Sequence, residues 1–261
     1  MVGRTRVEAL GLVGLLVAAV AACSADPGDD QQQQAGPEQQ IGEARSASSS
    51  SGWRPLGGDL NPFPGQPVSA PSLLVDPAVG QVIGFSAIDP ATSIDRVFVL
   101  RWSHPGWASI GEAFDGGGPS LASGERAGLH VCFAPPASSS AGGPIVLRWT
   151  HRGWAPVGGD IGAETGFETT RYVLDACGGI QLGDRSAPIV AWAAEVGPKN
   201  DRVYAAEWRR GSGEWAGLGP GAIGVRPAAV SLAVGSHRGV YLATFTPGGS
   251  YGGGATTQAW S

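Results

Sequence analysis

The chain has 261 residues and a formal net charge of −5, from 17 Lys and Arg against 22 Asp and Glu. No basic block is present, which argues against nucleic acid or an anionic lipid surface as the partner of the folded part. The 43 glycines and 20 prolines follow no three-residue period, so a collagen-like rod is excluded and a chain of many turns is expected.

Residues 1–22 read as an export signal. Arg4 and Arg6 supply a positive start, residues 9–22 are apolar, and small residues lead up to Cys23. That apolar stretch is shorter than the roughly 20 residues a transmembrane helix needs. Val20-Ala21-Ala22-Cys23 resembles the bacterial lipobox, in which the signal is cut before the cysteine and the thiol and new amino group are acylated. The resemblance implies Cys23 as the lipid attachment site and a protein held on a membrane of the bacterial cell envelope, periplasmic or at the outer surface. Ser24 after the cysteine resembles the outer-membrane sorting pattern of Gram-negative bacteria. The alternative is an ordinary secretory signal cut near Ala22, with Cys23 a passenger thiol.

Residues 23–52 form the next segment, with Gln31 to Gln34, Gln39-Gln40 and Ser48 to Ser51 and almost no apolar residue. Such a stretch cannot bury enough surface to offset its ordering entropy, so a disordered tether is expected. As a flexible coil its ends lie on the order of 30 Å apart.

Residues 53–261 are long enough for one domain with a sizeable core, and no sustained 3.6-residue apolar rhythm runs through them. Pro71-Ser72-Leu73 to Phe85 aligns without a gap, at an offset of 48, with Pro119-Ser120-Leu121 to Phe133. Val99-Leu100-Arg101-Trp102 and Trp107 recur as Val146-Leu147-Arg148-Trp149 and Trp154. A third copy has Pro188 to Trp192, Val203 to Trp208 and Trp215, and a fourth places Ser231 to Phe245 at offset 159 from Ser72 to Ser86. Each copy holds four short strand segments between turn residues: A (as in 72–76), B (82–86), C (97–102) and D (107–111). The D segments share Trp, two variable residues, an aliphatic residue and Gly, at Trp53, Trp107, Trp154 and Trp215. Four strands in about 50 residues, repeated, is the signature of a propeller blade.

Trp53 opens a D segment with no A, B or C before it, and the chain stops at the end of a C segment, Trp260-Ser261. The expected fold is therefore all-β: a β-propeller of four blades, each of four antiparallel strands, closed by pairing of the N- and C-terminal strands. A ring sewn from both termini leaves no loose edge. The last C segment, Thr256 to Trp260, has lost its aliphatic face, which weakens closure there and leaves two chains pairing into a larger ring as the alternative to a monomer.

Trp53-x-x-Leu56-Gly57-Gly58-x-Leu60-Asn61, with Pro-Ser-Leu and the paired tryptophans, resembles repeats of bacterial envelope lipoproteins with Kelch-like or sialidase-like propellers. The likeness spans nearly all of residues 53–261, and its motifs are structural. The sequence departs from those families in lacking an Asp-box, and its Gly pair follows strand D rather than strand B.

No residue pattern in the sequence points to a catalytic group. His104 and His151 repeat together with their C-to-D turn, as turn residues do, and His237 sits between Gly235 and Gly239 with no carboxylate near it in sequence. His130 and Cys132 share a strand face that carries Val82 and Gly84, Ile189 and Ala191, or Tyr241 and Ala243 in the other copies, so a packing position is the reading. A Cys/His nucleophile needs an orienting third group, and zinc needs more ligands than one His and one or two Cys supply. No metal or other cofactor is expected. Cys132 and Cys177 can form a disulfide in an oxidising compartment; whether their Cα atoms come within about 7 Å is left open. The aspartates cluster at strand ends and turns, where they accept backbone hydrogen bonds. Tether, anchor and fold together read as a non-catalytic, lipid-anchored binding or scaffold module with a protein or glycan partner in the cell envelope. A glycan-acting enzyme, sialidase- or lyase-like, is the alternative and rests on fold analogy.

Overall fold

The computed structural model describes residues 56–124, 127–136, 138–167, 172–182, 187–197, 200–219, 222–223, 229–234, 239–246 and 254–260. The chain divides into two units, Met1–Gly52 and Trp53–Ser261, and every described residue belongs to the second. The signal, Cys23, the tether and Trp53 lie outside the described residues.

The expected strand segments of the first three copies, and the A, B and C segments of the fourth, are present in order. The first sheet runs β1 (Val68–Asp76), β2 (Gly80–Asp89), β3 (Ile94–Ser103), β4 (Gly106–Ser109), each antiparallel to the next, with a short β5 (Phe114–Asp115) beside β3. The second runs β6 (Gly117–Gly124), β7 (Gly128–Ala134), β8 (Ile145–Thr150), β9 (Gly153–Pro156). The third runs β10 (Tyr172–Leu182), β11 (Pro188–Gly197), β12 (Asn200–Arg209), β13 (Glu214–Gly217), with β14 (Ala222–Ile223) beside β12. The fourth has three described strands, β15 (Ala229–Val234), β16 (Val240–Thr246) and β17 (Gly254–Trp260). Despite its polar composition β17 pairs along its length with β16, from Val240 opposite Trp260 to Thr246 opposite Gly254.

Local chemistry explains the turns. At the β1–β2 hairpin the Asp76 carboxylate accepts the amides of Ala78 (2.7 Å) and Val79 (3.1 Å), and Asp89 accepts that of Ala91 (2.9 Å) after β2, as short acidic side chains do in turns. Among the described residues one helix, α1 (Ile161–Thr165), interrupts the all-β pattern between the second and third sheets. Asp160 caps its start and Gly166, at φ 68°, ends it in the left-handed region.

The sheets pack in chain order, β1 against β6, β6 against β10 and β10 against β15, a β-propeller-like arrangement. The core follows the same sequence. One apolar cluster joins Val82, Val97 and Val99 of the first sheet to Leu121, Val131 and Phe133 of the second. Another joins Ala122, Cys132 and Val146 to Ile180, Val190 and Trp192, and a third joins Ile189 and Ala191 to Leu232 and Leu242. The repeat extends to a strand irregularity. The pairing register shifts between Ser69 and Ser72 in β1 and between Gly117 and Ser120 in β6; within it Ala70 (φ 48°) and Gly118 (φ 57°) hold equivalent left-handed positions.

Candidate functional site

The Trp-x-x-aliphatic-Gly segment clasps one sheet to the next. Ile110 donates its amide to Val99 of its own sheet (2.8 Å), while its carbonyl accepts the indole N–H of Trp154 from the second sheet (2.7 Å). Val157 does the same with Val146 (2.9 Å) and the indole of Trp215 (3.0 Å). Gly111 and Gly158, at φ 76° and 77°, lie flat under these indoles; a Cβ would stand 2.7 Å from Trp154 and 2.5 Å from Trp208. Each indole is braced by the tryptophan opposite it in the hairpin, with ring centroids 5.5 Å apart for Trp102 and Trp107 and 5.2 Å for Trp149 and Trp154. Among the described residues these tryptophans serve packing, and Trp149, 36% exposed, reaches the surface most.

The carbonyl of Leu56 accepts the indole N–H of Trp107 (2.9 Å), and Gly57 (φ 84°) seats against Trp107 and Trp102. Leu56 and Gly57 thus meet the first sheet as Ile110 and Gly111 meet the second.

A second repeated contact shows which faces are left open. The first strand of the second, third and fourth sheets sends a ridge into the sheet before it. Leu121 packs over Gly84 and donates its amide to Ser72 Oγ (3.1 Å), and Ser123 Oγ donates to Asp76 (2.7 Å), which lowers the Asp76 pKa below its usual value. Ile180 and Leu182 enter the second sheet's core, and Leu232 and Val234 enter the third's. Among the described residues nothing covers the equivalent ridge on β1: Leu73 is 68% and Val75 70% exposed, and Pro71 is exposed where its counterpart Pro119 is buried. On the far face of the fourth sheet the receiving positions are open too, with Tyr241 51% exposed and Ser231 and Ala233 also exposed beside it. These two faces, one at each end of the row of sheets, are the candidate functional surface.

The structure joins Cys132 of β7 to Cys177 of β10 by a disulfide, with Cα atoms 5.6 Å apart, and so staples the second sheet to the third. His130, two residues along the same face, is buried. Its Nδ1 lies 3.2 Å from the carbonyl of Gly128, which places the proton on Nδ1. Burial, with smaller contributions from the charges of Arg148 and Arg210, pushes its pKa down to about 4, against the raising effect of the Gly128 carbonyl; it packs as a neutral ring. His104 and His151 are exposed turn residues, and His237 is outside the described residues. Arg96 is flanked by Asp89 (3.8 Å) and Asp115 (3.6 Å) at the first sheet's edge. Among the described residues no three His, Cys, Asp or Glu side chains are grouped to hold a metal ion. Sequence reasoning placed the ridge and receiving residues on strands but had no means of seeing which were uncovered.

No protein-family model matches the chain, and no curated protein matches it either. Solved structures resemble it distantly. They include a Hadza microbial sialidase, with TM-score 0.47 and 11% identity over 73% of this chain and 44% of that one. A thermostable family-43 glycoside hydrolase gives 0.43 and 10% over 78% and 70%. An alpha-L-arabinofuranosidase from Podospora anserina gives 0.43 and 12% over 79% and 68%. The chain spans less than half the length of the sialidase. At these values the likeness is too distant to carry an activity across.

Proposed function

We propose that the protein is a lipid-anchored module of the bacterial cell envelope, attached through Cys23, that acts by binding rather than by catalysis and presents an open apolar sheet face to a protein partner. One observation carries the reading: Leu73 and Val75 stand 68% and 70% exposed in positions that the same chain fills or covers in its other sheets. Fully burying one such side chain is worth about 1.5–3 kcal/mol, and a contiguous apolar ridge left in water marks an interaction surface. The clasp at Leu56 supports a further point, that Leu56 and Gly57 end a strand that pairs beside a β15–β17 sheet.

The test is a photo-crosslinking residue at position 73 in the full chain, expressed with its signal in a bacterial host, and the same residue at exposed Ser212 as a control. A discrete protein adduct at 73 and none at 212 is expected. No adduct at 73, or release of sugar from envelope glycans by the purified chain, would overturn the reading. In the same host Cys23→Ala should leave an unprocessed, unacylated precursor by mass spectrometry; acylation without Cys23 would remove the anchor from the proposal.

A further inference from the structure

We infer that the occupant of the open face is a second copy of this chain, joined head to tail, so that the ridge of β1 in each copy enters the fourth sheet of the other and two chains close one ring. The inference rests on reading that face as a binding surface and names the partner.

The proposed contact continues one that the chain already makes three times. At each junction the receiving surface is built from four positions, two on the first strand and two opposite them on the second. They are Ser72 opposite Gly84 and Leu74 opposite Val82 in the first sheet, and Ser120 opposite Cys132 and Ala122 opposite His130 in the second. In the third they are Gly179 opposite Ala191 and Gln181 opposite Ile189. The fourth sheet presents the same set, Ser231 opposite Ala243 and Ala233 opposite Tyr241. It repeats the first sheet's serine, which accepts the amide of Leu121, and a small residue where Gly84 lies under the Leu121 side chain. The ridge this surface fits is Leu73 and Val75, since Leu73 is the offset-48 counterpart of Leu121. By the repeat, the Leu73 amide meets Ser231 Oγ and the Leu73 side chain lies over Ala243.

Among the described residues, ridge and receiving surface do not meet within one chain, because Leu73 and Tyr241 both remain exposed. A chain with a ridge at one end and its own receptor at the other makes a head-to-tail contact, which closes into a ring when the rotation permits. Two chains of four sheets give a ring inside the four to eight blades that propellers use. The clasp agrees with this arrangement. Leu56 and Gly57, held on the first sheet by Trp107, end a D segment whose partner strands would be β15–β17 of the other copy.

The experiment pairs Leu73→Cys with Ala243→Cys in the full chain. The native Cys132 and Cys177 are already bonded to each other and buried. Mild oxidation followed by non-reducing electrophoresis should convert most of the double variant to a covalent species of twice the 26.5 kDa chain mass, less the signal, while neither single variant does so. Sedimentation of the parent chain should give the same dimer mass, falling to the monomer with Leu73→Asp. Loss of both free thiols at monomer mass would mean that the ring closes within one chain, a ladder of higher species would mean an open filament, and free thiols throughout would mean that the faces never meet. Each of these outcomes overturns the inference. A position-73 photo-adduct with some other envelope protein would overturn it while leaving the proposed binding function standing.

Discussion

Replacing Gly158 with alanine tests the clasp directly. The new Cβ would stand 2.5 Å from Trp208 Cζ3 and 2.6 Å from Trp215 Nε1, at a backbone φ of 77°. Neither indole can give way cheaply: Trp215 is 2% exposed, its indole N–H is bound to the Val157 carbonyl at 3.0 Å and its amide to Glu164 at 2.6 Å. Left-handed φ costs an ordinary residue about 1–2 kcal/mol, and forcing a methyl group into a packed site costs about 1–3 kcal/mol. The stiffer unfolded chain offsets about 0.4–1 kcal/mol of this. The expected loss is about 2–4 kcal/mol, or roughly 5–15 °C in Tm for a domain of about 200 residues. Gly80→Ala is the control, since Gly80 has φ 84° and a methyl group there would meet nothing within 4 Å; only the φ term and its offset remain, about 0–1.5 kcal/mol. Urea unfolding should move the midpoint of Gly158→Ala far more than that of Gly80→Ala, with similar slopes. Equal shifts for the two would refute the claim that the indole pair forms a rigid seat.

Ala70, at φ 48° where its counterpart Gly118 has φ 57°, carries strain that glycine would relieve, so in urea Ala70→Gly should be neutral to about 1 kcal/mol stabilising and Gly118→Ala about 1 kcal/mol destabilising. His130 has a folded pKa of about 4 against 6.5 for a free imidazole: between those values the unfolded chain binds a proton that the folded chain does not, so stability is full above pH 6.5 and falls as pH drops through the window, by up to about 3 kcal/mol. His130→Val, the residue type at Val82, should flatten that part of the stability profile measured from pH 7 to pH 4. The Cys132–Cys177 bond closes a loop with sequence separation 45; the loop-entropy relation gives about 4 kcal/mol for its removal in a Cys132→Ala/Cys177→Ala variant, and the unfolded, unreduced parent should show no reactive thiol at either position.

The sheets were legible because the repeat is nearly verbatim where it matters: an ungapped offset of 48 over Pro71 to Phe85 carries strand, turn and strand together. The D segments were recognisable as strands, but their purpose was not, since the carbonyls that hold Trp107, Trp154 and Trp215 lie 51, 44 and 58 residues away in the preceding unit. Helix α1 has five residues, too few for a 3.6-residue rhythm to register; only Asp160 and Gly166 flag its ends. Two-residue strands such as β5 and β14 carry no periodic signal at all. The strand face shared by His130 and Cys132 was correct from sequence, whereas the approach of Cys132 to Cys177 depends on how β7 meets β10 across a sheet junction, and no local pattern encodes that. Exposure of Leu73 is the same kind of fact: its sequence is that of a buried residue, and it is a surface because none of the described sheets covers β1.

The residues at one repeated position show why the far face of the fourth sheet differs from the inner junctions. Val82, His130 and Ile189 occupy it where a neighbouring sheet covers them, at 0%, 2% and 4% exposure, and Tyr241 occupies it where none does, at 51%. A tyrosine there gives a broad apolar ring with a hydroxyl that water can solvate before any contact forms, and it loses little rotamer freedom when covered, which is why Tyr is enriched in surfaces that exchange solvent for protein. Leu73 and Val75 opposite in repeat register are of core type. A receiving face of interface character and a ridge of core character are what a contact formed between separately folded bodies requires, since the polar hydroxyl keeps the open face soluble while the aliphatic ridge supplies the burial. Tyr241→Val should therefore leave the fold intact, because Val stands at the same place in the first sheet, yet raise non-specific association of the free chain by removing that hydroxyl. A variant that remains as soluble as the parent by light scattering would show that Tyr241 has no such role.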